Sequence, residues 1–116
     1  MNAIKNRVQL LGNLGKDIEL KQTETGKKMA RLSIATSETY QNAKGEKVTE
    51  TQWHTVVAWG KTAELMASLL HKGSEVLVEG KLVNRSYVDK DGQKKYITEV
   101  TAEEFVAIGR KAAEAA

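Results

Sequence analysis

Four aromatic side chains stand where the sequence is otherwise polar or where a predicted element ends: Tyr40, Trp53, Trp59 and Tyr87. Trp53 and Trp59 are six positions apart in one predicted strand. Without a bulge, an even spacing places both rings on one face of the strand, about 20 Å apart. Exposed aromatic rings stack on nucleobases whatever the base. The pattern therefore indicates separate stacking platforms on one surface. The alternative for either tryptophan alone is that it fills the core.

Basic residues accompany these rings. Lys61 follows Trp59 closely, and Arg85 precedes Tyr87 by two positions, the spacing of neighbours on one strand face. Aromatic platforms with interleaved cations suit a flexible single strand, because rings accept any base while Lys and Arg follow the phosphates. Readout of a duplex would need a helix rich in Arg, Asn or Gln, which the sequence lacks. The predicted phosphate-binding residues are Arg7, Lys61, Lys72, Lys81, Arg85 and Lys94.

Catalytic interpretations of the sequence are weak. The run GNLGK at residues 12–16 has too few residues between its glycines for a nucleotide-binding loop and no hydroxyl residue after its lysine. His54 and His71 lie on different predicted elements without a second histidine at metal-ligand spacing. Glu103 and Glu104 are adjacent, so on a strand they point to opposite faces. We predict no enzyme activity, no metal site and no cofactor.

The composition fits one globular domain. The 116 residues include 18 Lys and Arg against 15 Asp and Glu, with no Cys and no Pro. Residues 1–98 carry 16 basic and 11 acidic side chains, a balance of +5 that suits a polyanionic partner. The sequence has no apolar run of membrane-spanning length and no signal peptide, so we expect a cytoplasmic protein.

Short runs rich in β-branched residues predict strands at 4–11, 18–22, 29–37, 49–59 and 75–83. In the third run, Leu32 and Ile34 alternate with polar residues and are expected to face inward. A loop is predicted at 41–47. Residues 86–88 and 95–97 flank an Asp-Gly turn and predict a hairpin, followed by strand to about residue 102. Helix remains an alternative for 101–104, where the sequence resembles a capping box.

One helix is predicted after the strand at 49–59. Thr62 is its expected cap, and Leu65, Met66, Leu69 and Leu70 recur at helical spacing on one stripe. Lys72 and Gly73 are expected to end it. Tyr96 and Phe105 are core candidates. Strand count and helix position together predict a mainly β fold, a five-stranded Greek-key barrel of the oligonucleotide-binding (OB) type. Its helix lies between the third and fourth strands, and its last two strands form an extended hairpin.

The chain resembles the bacterial single-stranded DNA-binding protein (SSB) family over nearly its whole length. Each matching segment is short, but together, in the family's order, they are specific. They are NRV at 6–8, GNLG at 12–15, ATSE at 35–38, QWH at 52–54, WGK at 59–61, KGS at 72–74, VEG at 78–80 and YITEV at 96–100.

The resemblance implies an OB-fold homotetramer that wraps and protects single-stranded DNA in replication, recombination and repair, within the cytoplasm and nucleoid. It places the four stacking aromatics at Tyr40, Trp53, Trp59 and Tyr87. The family frequently has tryptophan at the positions of Tyr40 and Tyr87, and phenylalanine at the position of Trp59. Each of these differences leaves an aromatic ring that can stack. It also implies a subunit interface, to which we assign Asn6, Val8 and His54.

The sequence departs from the family at its end. Family members usually continue through a flexible linker to an acidic tip that recruits replication and repair proteins, whereas this sequence ends in KAAEAA at 111–116. We therefore expect an OB-fold domain at 1–110 and a short remnant at 111–116, either a piece limited to the folded core or a short paralogue. Recruitment of protein partners does not carry over. The alternative function is a replication-restart adaptor built on the same barrel.

Overall fold

Residues 5–108, the part of the chain that the computed structural model describes, form six β-strands and one α-helix. The chain order places the helix after four strands, as the glycine-punctuated β-branched runs predict. The elements are β1 (Val8–Leu14), β2 (Glu19–Gln22), β3 (Lys28–Gln41), β4 (Lys47–Trp59), α1 (Gly60–Leu69), β5 (Glu75–Val88) and β6 (Lys94–Ile108).

Five of the strands close into a barrel. The hydrogen-bonded order is β1-β5-β6-β4-β3-β2, and a further pairing of Asn13 and Leu14 with Ala35 and Ile34 joins β1 to β3. All pairings are antiparallel except that of β4 with β6. The short β2 extends the edge of β3 outside the ring. This confirms the predicted mainly β, five-stranded barrel with its helix between the third and fourth barrel strands.

Close backbone approach at one glycine helps the barrel close. A Cβ atom on Gly12 would meet the backbone carbonyl of Ala35 on the neighbouring strand β3. Gly12 lies on β1 just before the two residues that pair with β3. Only a residue without a side chain lets the two strands approach this closely.

The core follows the alternation of the strands. Leu32 and Ile34 are buried as predicted, and the same inward face continues across β4, β5 and β6. Phe105 packs against this core, which confirms its prediction, whereas Tyr96 is 75% exposed and is not a core residue. The buried cluster is Leu14, Ala30, Leu32, Ile34, Val56, Ala58, Ala63, Met66, Leu70, Val76, Val78, Val100 and Ala102.

The helix differs from its prediction at both ends. It begins at Gly60 with Trp59 in the capping position and no side-chain cap, so the prediction of Thr62 as the cap is wrong. Gly60 has a φ of +63°, which turns the chain directly from β4 into α1. The helix ends at Leu69, before Lys72. Gly73, with a φ of +90°, lies in the following turn.

Only half of the predicted apolar stripe of α1 is buried. Ala63 and Met66 face the core, and Leu70, at the end of the helix, joins them. Leu65 and Leu69 are 50% and 56% exposed. Ala63, Met66 and Leu70 follow one another at spacings of three and four, so they form one narrow stripe along the helix. Leu65 and Leu69 lie beside this stripe and stay exposed.

Strands β3, β4 and β6 are longer than predicted, and β1 is shifted to begin at Val8 and end at Leu14. Because β3 and β4 continue toward each other, only residues 42–46 remain for the turn predicted at 41–47. β6 extends to Ile108, so the helical alternative at 101–104 is wrong, because the strand continues through these residues and pairs with β5 on both sides of Glu103. A register shift opposite Glu79 and Gly80 leaves Glu103 as an extra residue in β6. The predicted Asp-Gly hairpin turn is confirmed, with Gly92 N–H donating to the Asp89 carbonyl at 3.1 Å.

Two predictions concern segments at the limits of the structure. The proposed division at residue 110 and the remnant at 111–116 lie outside the described residues.

Within residues 5–108, no helix has the length and apolar character needed to cross a membrane.

Candidate nucleic-acid interface

The two tryptophans share one outer face of the barrel. The β3–β4 register is unbroken and places Trp59 opposite Met29 and Trp53 opposite Ala35. Trp53 is 61% exposed and Trp59 43% exposed, so neither fills the core. The prediction that both rings lie on the same side of one strand is confirmed.

The same outer face continues onto β5. A groove of about 440 Å³ is lined by residues of four strands that lie beside each other. Lys81 pairs with Thr101 at its edge, and Tyr87 follows Arg85 at the next outward position of β5. We call this surface the aromatic face and define it by Trp53, Trp59, Lys81, Arg85 and Tyr87. The groove residues are Met29, Arg31, Val57, Trp59, Val83, Arg85, Glu99 and Thr101.

Trp53 rests on a glycine of the first strand's exit. A Cβ atom at Gly15 would lie 2.8 Å from Cη2 of the Trp53 indole and closer still to Cζ3. The Gly15 N–H donates to the Ser33 carbonyl at 3.0 Å, which fixes this backbone beneath the ring. The sequence alone assigned no functional role to this glycine of the GNLGK run. In the structure it supports an exposed aromatic ring.

Arg85 is held by a buried carboxylate on the floor of the groove. Its Nε donates to Glu99 Oε1 at 2.9 Å and its Nη2 to Oε2 at 3.3 Å. Arg31 Nη1 lies 3.9 Å from the same carboxylate. The hydrogen bond from Arg85 to Glu99, followed by the attraction of the two charges, raises the pKa of Arg85. Sequence reasoning missed both Arg31 and Glu99 as site residues.

The other predicted phosphate ligands are spread around the barrel. Lys61 is exposed in the first turn of α1, two residues after Trp59, and Lys72 is exposed in the turn after that helix. Lys94 lies on the opposite side of the β5–β6 hairpin from Tyr87, with its Nζ 5.8 Å from the centre of the Tyr96 ring. Thus the structure brings Lys81 and Arg85 together with the tryptophans on the aromatic face but places Lys94 elsewhere.

Arg7 and Tyr40 are not among the residues of the aromatic face. Arg7, just before β1 begins, forms an ion pair with Glu79, two positions before Lys81 on β5. Tyr40 occupies an even position of β3, the side opposite that of Ala35, and its hydroxyl donates to Glu50 Oε2 at 3.4 Å. Its ring is 44% exposed near the tip of the β3–β4 hairpin.

The three residues assigned to a subunit interface make contacts within the chain. The Asn6 amide donates to the Leu82 carbonyl and its oxygen accepts from the Leu82 N–H, both at 3.0 Å. Val8 is half-buried at the start of β1, opposite Gly80. His54 Nε2 lies 2.9 Å from Thr36 Oγ1 in a concave surface separate from the aromatic face.

Comparison with known proteins agrees with this barrel fold. The model of the family described as "Single-strand binding protein family" matches residues 5–108, so the chain belongs to that family. The chain is 40% identical over 107 residues to "Single-stranded DNA-binding protein 1" of Chlorobaculum tepidum, a match covering 91% of this chain and 66% of that protein. It is equally identical to "Single-stranded DNA-binding protein 1" of Xylella fastidiosa, of which it spans 79%.

Two solved structures resemble the fold at 30% sequence identity. A Plasmodium falciparum SSB in complex with ssDNA superposes with a TM-score of 0.81, covering 93% of this chain and 99% of that one. A deletion mutant of the single-stranded DNA binding protein from Thermus aquaticus superposes with a TM-score of 0.79, covering 92% of this chain but 52% of that one.

Proposed function

We propose that this protein binds and protects single-stranded DNA without sequence preference during DNA replication, recombination and repair. The observation that carries the proposal is the aromatic face: Trp53, Trp59 and Tyr87 are exposed beside Lys81 and Arg85 on one side of an SSB-family barrel. A group of exposed rings on one face marks an interaction surface, and a base that stacks on a ring covers its exposed face.

The geometry explains how an unselective surface would work. Stacking uses the face that every base possesses, while Lys81 is placed to follow the phosphates. Trp53 and Trp59 are separated by about 20 Å along β4, so different bases of one flexible strand contact each ring. The duplex is not bound in this way because its bases are already stacked and paired. Binding the open strand therefore shifts the equilibrium away from hairpins, without catalysis.

The test is a tryptophan-fluorescence titration with oligo-dT and with a duplex of equal length, at low and high salt. We expect strong quenching by oligo-dT alone, with affinity that falls as salt rises. Stronger binding of the duplex would overturn the proposal. Absence of quenching by either ligand would favour the replication-restart adaptor.

We further propose that the protein acts as a homotetramer in the cytoplasm, on nucleoid DNA. Residues 8–12 of β1 pair with β5 on one side only, so the other edge of this segment can accept a strand from a second copy. Leu11, Leu77 and Val106 lie in register across β1, β5 and β6, and Leu11 and Val106 are 52% and 57% exposed. This apolar row, away from the aromatic face, suits burial between subunits.

Sedimentation velocity tests the assembly. We expect a species of about four times the 12.8 kDa chain mass. The double variant Leu11→Glu/Val106→Glu is expected to shift the distribution to smaller species, because charges across the row cannot be buried together. The matched control Leu65→Glu, on the outer side of α1, should keep the tetramer. A monomeric wild-type chain would contradict the proposal.

A further inference from the structure

A buried carboxylate is unexpected on a surface proposed to bind a polyanion. Glu99 is only 6% exposed and is the one buried charged side chain among residues 5–108. It forms part of the groove that also contains Trp59 and Arg85. An acidic group there opposes phosphate binding, so its presence calls for a local reason.

The contacts of Glu99 supply that reason. Both of its oxygens accept hydrogen bonds from Arg85, one from Nε and one from Nη2. Two contacts between planar groups fix the plane of the guanidinium as well as its position. The carboxylate also neutralises one of the two positive charges that Arg85 and Arg31 bring to the groove.

We propose that Glu99 is a positioning residue that turns Arg85 from a phosphate ligand into a flat stacking surface for a nucleobase. This inference rests on the proposed function. A guanidinium held in one plane can accept a base on its face, as an aromatic ring does. Arg85 lies on the same side of β5 as Tyr87, and its groove is shared with Trp59. It therefore links the platforms of β4 and β5.

Arg85 has little freedom to exchange its partner for a phosphate. If the guanidinium left, the Glu99 carboxylate would stay buried with Arg31 alone, whose Nη1 lies 3.9 Å away. An underpaired buried charge is strongly unfavourable. The ion pair is therefore retained when DNA binds, and the exposed part of Arg85, whose side chain is 46% accessible, is what the DNA meets.

The contrast with Lys81 makes the inference testable. Lys81 is exposed on the same face and forms no ion pair with any of residues 5–108. The test measures oligo-dT affinity across a range of salt concentrations for the wild type, Arg85→Lys, Arg85→Ala and Lys81→Ala. For single strands, each phosphate contact contributes about 0.7 to the slope of log affinity against log salt.

Both substitutions of Arg85 are expected to weaken binding by about fivefold or more at every salt concentration, leaving the slope unchanged. Lysine keeps the charge but offers no planar face, so it should not rescue the loss. Lys81→Ala should instead reduce the slope by about 0.7. Thermal melting of each variant checks that the barrel is folded.

Glu99→Gln gives the complementary result. Removing the carboxylate charge leaves Arg85 free to act as a counterion, so the slope should steepen, by up to about 0.7. Wild-type affinity in Arg85→Lys, together with a reduced slope in Arg85→Ala, would overturn the inference and show a phosphate ligand. A wild-type chain that fails to bind oligo-dT would refute the proposed function itself, which the same titration reveals separately.

Discussion

Replacing Trp53 and Trp59 together with alanine is expected to weaken binding of oligo-dT by roughly 2 to 6 kcal/mol. Each exposed ring contributes about 1 to 3 kcal/mol of base stacking. The two effects should add, because positions about 20 Å apart on one strand share no contacts. Fluorescence anisotropy of a labelled oligo-dT is the suitable measurement, since the variant has lost both of the chain's tryptophans.

The matched control is Trp53→Phe/Trp59→Phe, which keeps a ring at each position and should retain most of the affinity. Both rings are exposed, so neither double variant should lose much thermal stability. Affinity of Trp53→Ala/Trp59→Ala within about threefold of the wild type, with an intact fold, would show that DNA does not contact this face.

The position of these rings could be predicted because β4 is regular. Its pairing with β3 continues without a bulge from Trp59 opposite Met29 to Lys47 opposite Gln41. An even spacing between two residues then places both on one face, whatever the rest of the fold does. The same rule predicts Leu32 and Ile34 as core residues. Alternation along one strand is a local property, and the sequence contains all of it.

Predicting the partner of Arg85 from the sequence requires one step more than strand alternation. Glu99 lies 14 positions away and opposite Val83, so its contact depends on the register of β5 with β6. The Asp-Gly turn sets that register, with Val88 opposite Lys94. Counting pairs away from the turn places Glu99 two pairs beyond Arg85, on the same face of the hairpin. The signal was thus present in the sequence. It lies in the combination of a turn with a pairing, which inspection of separate motifs does not reveal.

Other features depend on the whole barrel. Gly15 lies under Trp53 only because the exit of β1 crosses beside β3 and β4, which no local pattern indicates. Tyr96 resembled a core residue, but it lies where the β5–β6 hairpin extends past the barrel. Neither face of a two-stranded ribbon covers a core there, so the ring is exposed.

The helix shows how a pattern can be right in type and wrong in detail. The apolar residues at 65, 66, 69 and 70 correctly indicate an amphipathic helix, but together they cover more of its surface than the barrel contacts. Met66 and Leu70 face the core and are buried, whereas Leu65 and Leu69 are exposed. Which half faces inward depends on how Gly60 aims the helix at the barrel end, a tertiary property.

Met66→Ala is therefore expected to lower the free energy of unfolding by about 2 to 5 kcal/mol. The side chain is fully buried in the barrel core, so its removal leaves a cavity as well as losing apolar burial. Alanine favours a helix at least as well as methionine, so the helix itself is not weakened. Urea denaturation at a fixed protein concentration measures the change, because self-association would also stabilise the fold.

Leu65→Ala is the control, one position along the same helix. Its side chain is 50% exposed, so the loss should remain within about 0.5 to 1 kcal/mol. Equal losses for the two variants would mean that the helix packs through the wider stripe that the sequence alone predicts. A large loss for Met66→Ala alone would show that the narrow stripe of Ala63, Met66 and Leu70 fixes α1 on the barrel, directly after the strand that carries Trp53 and Trp59.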